Sequence, residues 1–369
     1  MSEPAVPSAL EPASATETVA APTSAIADWI RDLCGDQEWL AWVVITLIGL
    51  GALAALASVS AMVLVWMERK VSAHMQLRLG PMRTGWHGAL QPMADGLKLL
   101  FKEGLLPRTT DLFSYLLAPF IPMATALLAL AVIPFSETWQ LADPELGIIY
   151  VAALSGMSVF AILIGSWGSN NKYSLLGGMR AAAQALSYEI SLLLVLMTAV
   201  LMSGETAMQA IVQSQEGYFW NWWLIRAPGV GFIAFIAFII SATAELNRAP
   251  FDFAESESEL TGGFHTEYAG MAFAMFFLAE YVHLLVAACL GAVLFLGGYL
   301  PPVPALAFIP GPVWLLVKAF GLVFLFMWFR WTFPRLRIDQ LLNLEWKFLM
   351  PVALLNLLAA GALRGWGWL

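Results

Sequence analysis

The sequence predicts an all-α polytopic membrane protein with about eight transmembrane helices, an interfacial amphipathic helix and an irregular acidic cytoplasmic loop. Three observations support this fold class. Hydrophobic residues make up 60% of the chain and charged residues only 12%, and the mean hydropathy is +0.75, well above that of ordinary soluble domains. Apolar segments of about 20 residues, each long enough to cross a bilayer, recur along the chain. A dense group of carboxylates interrupts them between residues 244 and 268.

Residues 1–36 differ from the rest of the chain. They are rich in Ala, Pro, Ser, Thr and Glu, and they lack the basic start and continuous apolar run of a signal peptide. We expect a disordered N-terminal tail, followed by a membrane domain over residues 37–369. The predicted transmembrane segments of that domain are 39–66, 112–135, 147–167, 181–202, 229–244, 268–298, 313–333 and 348–363.

The fifth and sixth segments differ in length from the others. Segment 229–244 is barely long enough to span the hydrocarbon core, whereas segment 268–298 is longer than a span requires. We therefore expect an irregular or tilted pair of helices on either side of the acidic stretch.

Orientation follows from the Lys and Arg residues, which accumulate in cytoplasmic loops. The loop between the first two segments holds seven Lys and Arg residues. The loop after the third segment holds two, and the loop after the seventh holds four, counting Arg330. The alternate loops hold only Arg226, and the tails hold Arg31 and Arg364. We therefore expect both termini on the periplasmic side and the acidic stretch on the cytoplasmic side.

Within the first cytoplasmic loop, residues 86–106 have the pattern of an amphipathic helix lying in the membrane interface. Gly104 and Pro107 end the pattern. A peripheral helix that only covers the bundle is the alternative. The apolar positions are Leu90, Met93, Leu97, Leu100 and Phe101, opposite Asp95, Lys98 and Lys102.

The stretch from Ala244 to Tyr268 carries six carboxylates and one arginine. Pro250 and the Gly262–Gly263 pair break any continuous helix there. Because crowded like charges cannot all ionise cheaply, we expect some of these carboxylates to exchange protons near neutral pH. A solvated acidic loop is the alternative. Interleaved apolar residues favour packing instead: Phe251, Phe253, Leu260 and Phe264.

Two further carboxylates, Glu189 and Glu280, fall inside predicted transmembrane segments. A carboxylate there costs about 2.5–3.5 kcal/mol on insertion scales and usually marks a proton or ion pathway. His283 follows Glu280 by three residues and so shares its helical face. For all three, the alternative is a polar side chain satisfied by a neighbouring helix.

Several other chemistries lack their sequence signals. The chain has no P-loop, GxSxG, HExxH or dinucleotide motif, and its four histidines lack metal-ligand spacing. Its two cysteines, Cys34 and Cys289, are far apart, which supports neither a disulfide framework nor a thiolate-held cluster. No basic tract suggests nucleic acid. We therefore expect any redox cofactor to be held by another protein.

Four long segments carry a family resemblance. They begin ERKVSAHMQLRLGPMRTGWHG, SNNKYSLLGGMR, AELNRAPFDFAESESEL and RWTFPRLRIDQLLNLEWK. Together they resemble the H subunits of bacterial proton-pumping NADH:quinone oxidoreductases, respiratory complex I, which are equivalent to mitochondrial NADH dehydrogenase subunit 1. The resemblance covers about residues 39–363. The four segments are 68–103, 169–189, 244–270 and 330–347.

The resemblance implies roles for particular residues, none of them catalytic or metal-binding. Residues bordering a quinone tunnel would be Glu68, Arg69, Arg78, Ala94, Asp95, Lys98, Arg248, Phe251 and Asp252. A proton path would use Glu189, Glu245, Glu255, Glu257, Glu259, Glu267 and Glu280, with Arg180 and Arg330 as charge partners.

The same resemblance implies a bacterial inner-membrane component that forms the tunnel entrance and wall and couples quinone reduction to proton translocation. Quinone would be the substrate, not a covalent cofactor, and FMN and iron-sulfur clusters are expected only in partner subunits. The implied partners are the quinone-binding and terminal iron-sulfur subunits of the peripheral arm, the adjacent small membrane-arm subunits, lipid and quinone. Two alternatives stay open: the membrane anchor of an energy-converting hydrogenase, and a stand-alone cation or proton antiporter.

Overall fold

The computed structural model describes residue 31 and residues 37–227, 229–253 and 260–368. The predicted tail, apart from Arg31, therefore lies outside the described residues, as do Glu255, Glu257 and Glu259. The helices are α1 (Glu38–Met75), α2 (Gln91–Phe101), α3 (Leu112–Leu117), α4 (Phe120–Val132), α5 (Gly147–Gly168), α6 (Lys172–Ser203), α7 (Met208–Gln213), α8 (Trp223–Arg226), α9 (Val230–Glu245), α10 (Gly270–Phe295), α11 (Gly311–Thr332), α12 (Ile338–Leu344) and α13 (Met350–Gly365). A π-helical turn, Glu345–Leu349, joins α12 to α13.

Seven helical stretches within the described ranges are long and apolar enough to cross a membrane. They are α1, the α3–α4 pair, α5, α6, α10, α11 and the continuous run from α12 to α13. The predicted all-α membrane fold is confirmed. The fifth predicted segment corresponds to α9, which has 16 residues. A helix of that length is about 24 Å long, shorter than the roughly 30 Å hydrocarbon core.

Several helix ends differ from those the hydropathy pattern predicts. Helix α1 continues to Met75, nine residues beyond the predicted end at 66. Hydropathy marks only the apolar part of a helix, whereas its backbone hydrogen bonds can continue into a polar segment. The interfacial helix begins at Gln91 instead of Trp86. Positive φ angles at Gly85, His87 and Gly88 confine residues 86–88 to a separate 3₁₀ turn.

Helix α10 is the centre of the bundle and α1 is at its edge. In the most apolar window of each helix, 72% of the α10 residues are buried, against 17% for α1. Helix α10 packs against α1, α4 and α11, whereas α6 packs against α5, α9 and α13. The two neighbourhoods meet where α9 contacts both α6 and α10.

Helix α6 is fixed at both ends and along one face. The Asn171 side chain accepts a hydrogen bond from the backbone N–H of Tyr173 at 2.9 Å, a normal N-cap. Gly204 ends the helix in the left-handed conformation. A methyl group at Gly177 would meet the backbone of Gly263. The close approach that glycine permits therefore places residues 260–268 against α6.

Candidate functional site

Five side chains from four parts of the chain form an ion-pair cluster around the buried Glu68 and Arg248. Glu68 of α1 accepts hydrogen bonds from Arg248 Nη1 at 2.8 Å and from Arg330 Nη1 of α11 at 2.5 Å. The Tyr281 hydroxyl of α10 donates to Glu68 Oε2 at 2.9 Å. Arg248 Nη2 also lies 3.0 Å from Glu280 Oε1. The cluster joins two carboxylates to two guanidinium groups and so carries no net charge.

Arg248 reaches this cluster because the chain turns sharply after α9. Its backbone N–H donates to the Thr243 carbonyl at 3.3 Å, which folds the chain back over the end of the helix. The side chain is 1% exposed, and the guanidinium lies 4.9 Å from the centre of the Tyr281 ring. Burial alone lowers the pKa of Arg248, but the carboxylates of Glu68 and Glu280 outweigh burial and raise it above its ordinary value. The guanidinium therefore stays charged.

A cavity of about 410 Å³, which we name the loop-side cavity, opens beside this cluster. Three arginines contribute to its wall, and aromatic rings from α10 and α11 form much of the rest of it. Its volume lies within the range of small-molecule sites, and its wall combines charged groups with aromatic rings. Its lining residues include Glu68, Arg69, Arg78, Phe273, Phe277, Glu280, Tyr281, Arg330 and Trp331.

A second cavity of about 130 Å³, which we name the inner cavity, lies among α4, α5, α6, α9 and α10. Each ordered water needs roughly 10–15 Å³, so the inner cavity has room for several. Most of its wall is apolar. Its polar lining consists of Ser155, Ser158, Glu245, Asn247, His265, Glu280 and His283.

Glu280 and His265 line both cavities. Glu280 is also ion-paired to Arg248, the most buried charge of the cluster. The Glu280 carboxylate, like the His265 imidazole, is therefore shared by the two cavities. This arrangement suits the transfer of a proton or of an electrostatic signal, since the shared group interacts with both compartments.

Glu189 and Glu245 lie on α6 and α9, two helices that pack against each other, and Glu245 lines the inner cavity. The Ser155 hydroxyl and the Glu245 carboxyl are hydrogen-bonded, and Glu189 is near enough to Glu245 to repel it when both are charged. Gly156 of α5 lies directly against Glu189 Oε1, where a larger residue would overlap the carboxylate. The structure thus brings together two residues of the predicted proton path that are far apart in sequence.

His283 contacts the backbone of α4. Its Nε2 lies 3.1 Å from the Pro122 carbonyl oxygen and 3.4 Å from Thr125 Oγ1. Since a carbonyl only accepts hydrogen bonds, Nε2 carries the proton. His283 and Glu280 both line the inner cavity, and the pairing that helical spacing allows between them stays a prediction.

The predicted tunnel residues on α2 lie at one end of α1. Asp95 accepts a hydrogen bond from Arg69 Nη1 at 2.5 Å, and Lys98 Nζ lies 4.0 Å from the same carboxylate. Ala94 is exposed, and Arg78 donates to the Gln76 side chain at 2.7 Å. The Arg69–Asp95 pair therefore fixes α2 to α1 beside the loop-side cavity.

Phe251 and Asp252 lie on another side of the loop, away from both cavities. The Phe251 carbonyl accepts a hydrogen bond from Gln184 Nε2 at 2.8 Å, and its ring packs 5.4 Å from the Tyr188 ring. Asp252 Oδ2 pairs with Arg335 Nη2 at 2.8 Å. These contacts attach the loop to α6 and to the segment before α12.

Glu267 and Arg180 do not line either cavity. Glu267 accepts a hydrogen bond from Asn171 Nδ2 at 2.5 Å and lines a separate cavity with Lys172. Arg180 lies on α6, where its predicted pairing with the acidic path stays a prediction. The three carboxylates at 255, 257 and 259 lie outside the described residues.

Sequence reasoning missed Glu345, because the stretch around it reads as a cytoplasmic loop. The structure buries Glu345 to 1% exposure, and Ser191 of α6 donates a hydrogen bond to it. The spacing of Leu341, Glu345 and Leu349, four residues apart, is the sequence pattern that indicates burial of Glu345. All three residues are buried.

The fold and this site define a polytopic membrane protein with buried ion pairs and carboxylate-lined cavities. A family model described as NADH dehydrogenase matches residues 48–361, so the chain belongs to the NADH dehydrogenase family. The H subunit of the NADH-quinone oxidoreductase of Bacteroides thetaiotaomicron is 43% identical over 345 residues, covering 91% of this chain and 96% of that protein. The H subunit of the Bacillus cytotoxicus enzyme is 50% identical over 298 residues, covering 80% and 87%. An H subunit of the Geobacter sulfurreducens enzyme is 43% identical over 314 residues, with the same coverage.

Proposed function

We propose that this chain is a membrane subunit of a proton-translocating NADH:quinone oxidoreductase, in which it forms the entrance and wall of the quinone tunnel. In this proposal it couples quinone reduction to proton translocation through buried carboxylates. Quinone is the substrate, and FMN and the iron-sulfur clusters reside in partner subunits. The chain lies in the bacterial inner membrane with both termini on the periplasmic side.

The loop-side cavity supports the first half of this proposal. Its aromatic wall suits a flat apolar ring, and the guanidinium groups of Arg69, Arg78 and Arg330 offer hydrogen-bond donors to a reduced or partly reduced oxygen. The exposed apolar residues of α2, such as Phe101 at 88% exposure, leave a surface beside the cavity. The quinone-binding and terminal iron-sulfur subunits would cover that surface.

The observation that carries the coupling is the position of Glu280. This carboxylate lines both cavities and pairs with Arg248 at 3.0 Å. When charge changes in the loop-side cavity, the Arg248–Glu280 pair weakens or strengthens, and the proton affinity of the inner cavity follows. Glu245 and Glu189 then receive or release the proton and relay the change toward the neighbouring membrane-arm subunits.

The test is a Glu280→Gln substitution in the assembled complex, in membrane vesicles that report both quinone reduction and proton translocation. We expect proton translocation to fall roughly fivefold or more, the lower end of the range for coupling between sites, with a smaller effect on complex assembly. Glu145→Gln, which changes an exposed carboxylate, is the matched control. Normal translocation in Glu280→Gln would refute the coupling.

Family membership favours this function over the two alternatives that the sequence leaves open. Relatives covering most of this chain are named as H subunits of NADH-quinone oxidoreductase. A hydrogenase anchor would need no quinone tunnel, and a stand-alone antiporter would need no docking surface for large partners. Co-purification of a dehydrogenase module with quinone reductase activity would separate the three functions.

A further inference from the structure

Glu345 is a buried carboxylate that the proposed function does not use. It begins the π-helical turn Glu345–Leu349 between α12 and α13. Such turns interrupt α-helices rarely and frequently occur at functional sites. The residue is 1% exposed, although glutamate is almost never fully buried unless it is paired.

The surroundings of Glu345 contain a hydrogen-bond donor but no countercharge among the described residues. The Ser191 hydroxyl donates to Glu345 Oε1, whereas the buried Oε2 has no hydrogen-bond partner in the same ranges. Within that part of the chain, no Lys or Arg forms an ion pair with this carboxylate. Lys347 is exposed and lies two positions along the helix, too far round to face Glu345.

The titratable group that faces Glu345 from α6 is Tyr188, whose hydroxyl donates to the Leu341 carbonyl at 3.0 Å. The Tyr188 phenol is neutral when its hydroxyl donates this hydrogen bond, so it supplies no positive charge to balance the Glu345 carboxylate. An ionised carboxylate that is buried without a cation is strongly unfavourable, because nothing replaces the hydration it has lost. A proton on Oε2 removes the buried negative charge and leaves Oε1 as the acceptor for Ser191.

This position is separate from the inner cavity. Ser191 and Glu189 are two residues apart on α6 and therefore about 200° apart around the helix. Glu189 faces Gly156 of α5, whereas Ser191 faces the π-helical turn. Protons at Glu189 and at Glu345 would therefore occupy opposite sides of the same helix.

A chain of contacts joins Glu345 to the loop after α9. Gln184, Tyr188 and Ser191 lie at spacings of four and three residues on one face of α6. Gln184 Nε2 donates to the Ala244 and Phe251 carbonyls at 2.7 and 2.8 Å. On the other side of the loop, the Leu336 N–H donates to the Pro250 carbonyl at 3.2 Å, shortly before α12 begins.

From this geometry we infer that Glu345 and Ser191 form a second proton-binding site inside the membrane domain, with the proton on Glu345 Oε2. The loop after α9 contacts both α6 and the segment that leads into α12, so movement of that loop shifts the turn that holds the site. The proton therefore leaves or returns when the loop changes position. This last step rests on the proposed function, whereas the existence of the site does not.

The direct test is infrared difference spectroscopy of the assembled complex across a pH titration, recording the C=O stretch of protonated carboxyl groups. We expect one such band to be lost in Glu345→Gln and retained in Asp339→Asn, which changes an exposed carboxylate on α12. In Ser191→Ala the band should persist at a shifted frequency, because the carboxyl loses its hydrogen-bond donor. Identical spectra for wild type and Glu345→Gln would overturn the inference.

The second measurement addresses use of the site during turnover. We expect the band to change when quinone is reduced, and proton translocation in Glu345→Gln to fall roughly fivefold while Asp339→Asn matches the wild type. An unchanged band during turnover together with normal translocation would overturn the link to the loop. The titration is independent of quinone binding by this chain, so failure of the proposed function and failure of this site give different results.

Discussion

The Arg248 guanidinium lies 3.0 Å from the Glu280 carboxylate and 2.8 Å from that of Glu68. One buried cation therefore holds together a carboxylate of α1 and a carboxylate of α10. Because Glu280 lines both cavities, the proposed coupling between the two compartments depends on the partner of Arg248.

Replacing Arg248 with Met should destabilise the protein by about 3–5 kcal/mol, since it leaves Glu68 with one partner fewer and removes the cation that pairs with Glu280. The thermal transition of the assembled complex and its yield measure this loss. Arg335→Met is the control, because the Arg335–Asp252 pair is more exposed and exposed pairs contribute only about 0–1 kcal/mol. Equal losses in the two variants would contradict the central place of Arg248.

Tyr281→Phe should cost about 1.5–3 kcal/mol, the usual contribution of a hydrogen bond to a charged group. The substitution removes the hydroxyl that donates to Glu68 and keeps the ring over Arg248. Tyr281→Leu should cost more, because the cation–π contact, about 0.5–2 kcal/mol, is lost as well. Thermal unfolding measures the stability of both variants. A Leu variant as stable as the Phe variant would show that the ring of Tyr281 contributes nothing to stability.

Gly156→Ala should reduce proton translocation, because a methyl group there overlaps Glu189 Oε1 and must displace the carboxylate. Gly321→Ala is the matched control: Gly321 also lies within a membrane helix, and its added methyl group would meet open space. Both changes have the same effect on helix propensity, roughly 0.5–1 kcal/mol in favour of alanine. Proton translocation per quinone reduced is the measurement, and equal values in the two variants would argue against a role for the position of Glu189.

The Arg69–Asp95 pair should bind α2 to α1 in a pH-dependent way. Burial alone raises the pKa of Asp95, but the hydrogen bond and charge of Arg69 outweigh burial and lower it below its ordinary value. The stabilisation is therefore fully present above the ordinary Asp pKa of about 3.9 and is lost as the pH falls through the lowered value.

A double-mutant cycle of Arg69→Met and Asp95→Asn, read out by protease accessibility of α2, measures this coupling. We expect a coupling below about 1 kcal/mol at neutral pH, since both side chains are partly exposed. The coupling should disappear in acid. A coupling that grows as the pH falls would contradict the assigned sign.

The sequence predicts the number and order of the apolar helices well, and it singles out two carboxylates that lie within them. Glu280 and Glu189 stand out because a carboxylate within an apolar run is costly. Glu345 escapes notice because it lies among Arg337, Asp339 and Lys347, where the local composition resembles a loop. Only the four-residue repeat of buried positions distinguishes it.

By itself, the sequence determined the membrane fold, the helical segments and the presence of carboxylates at depth, since these follow from local hydropathy and periodicity. The tertiary structure alone decided which charges meet. Helical periodicity assigns a residue to a face, but it does not say which other helix packs against that face. Glu68 and Arg330 are 262 residues apart and lie 2.5 Å from each other, a contact that depends on how α1 and α11 pack around α10.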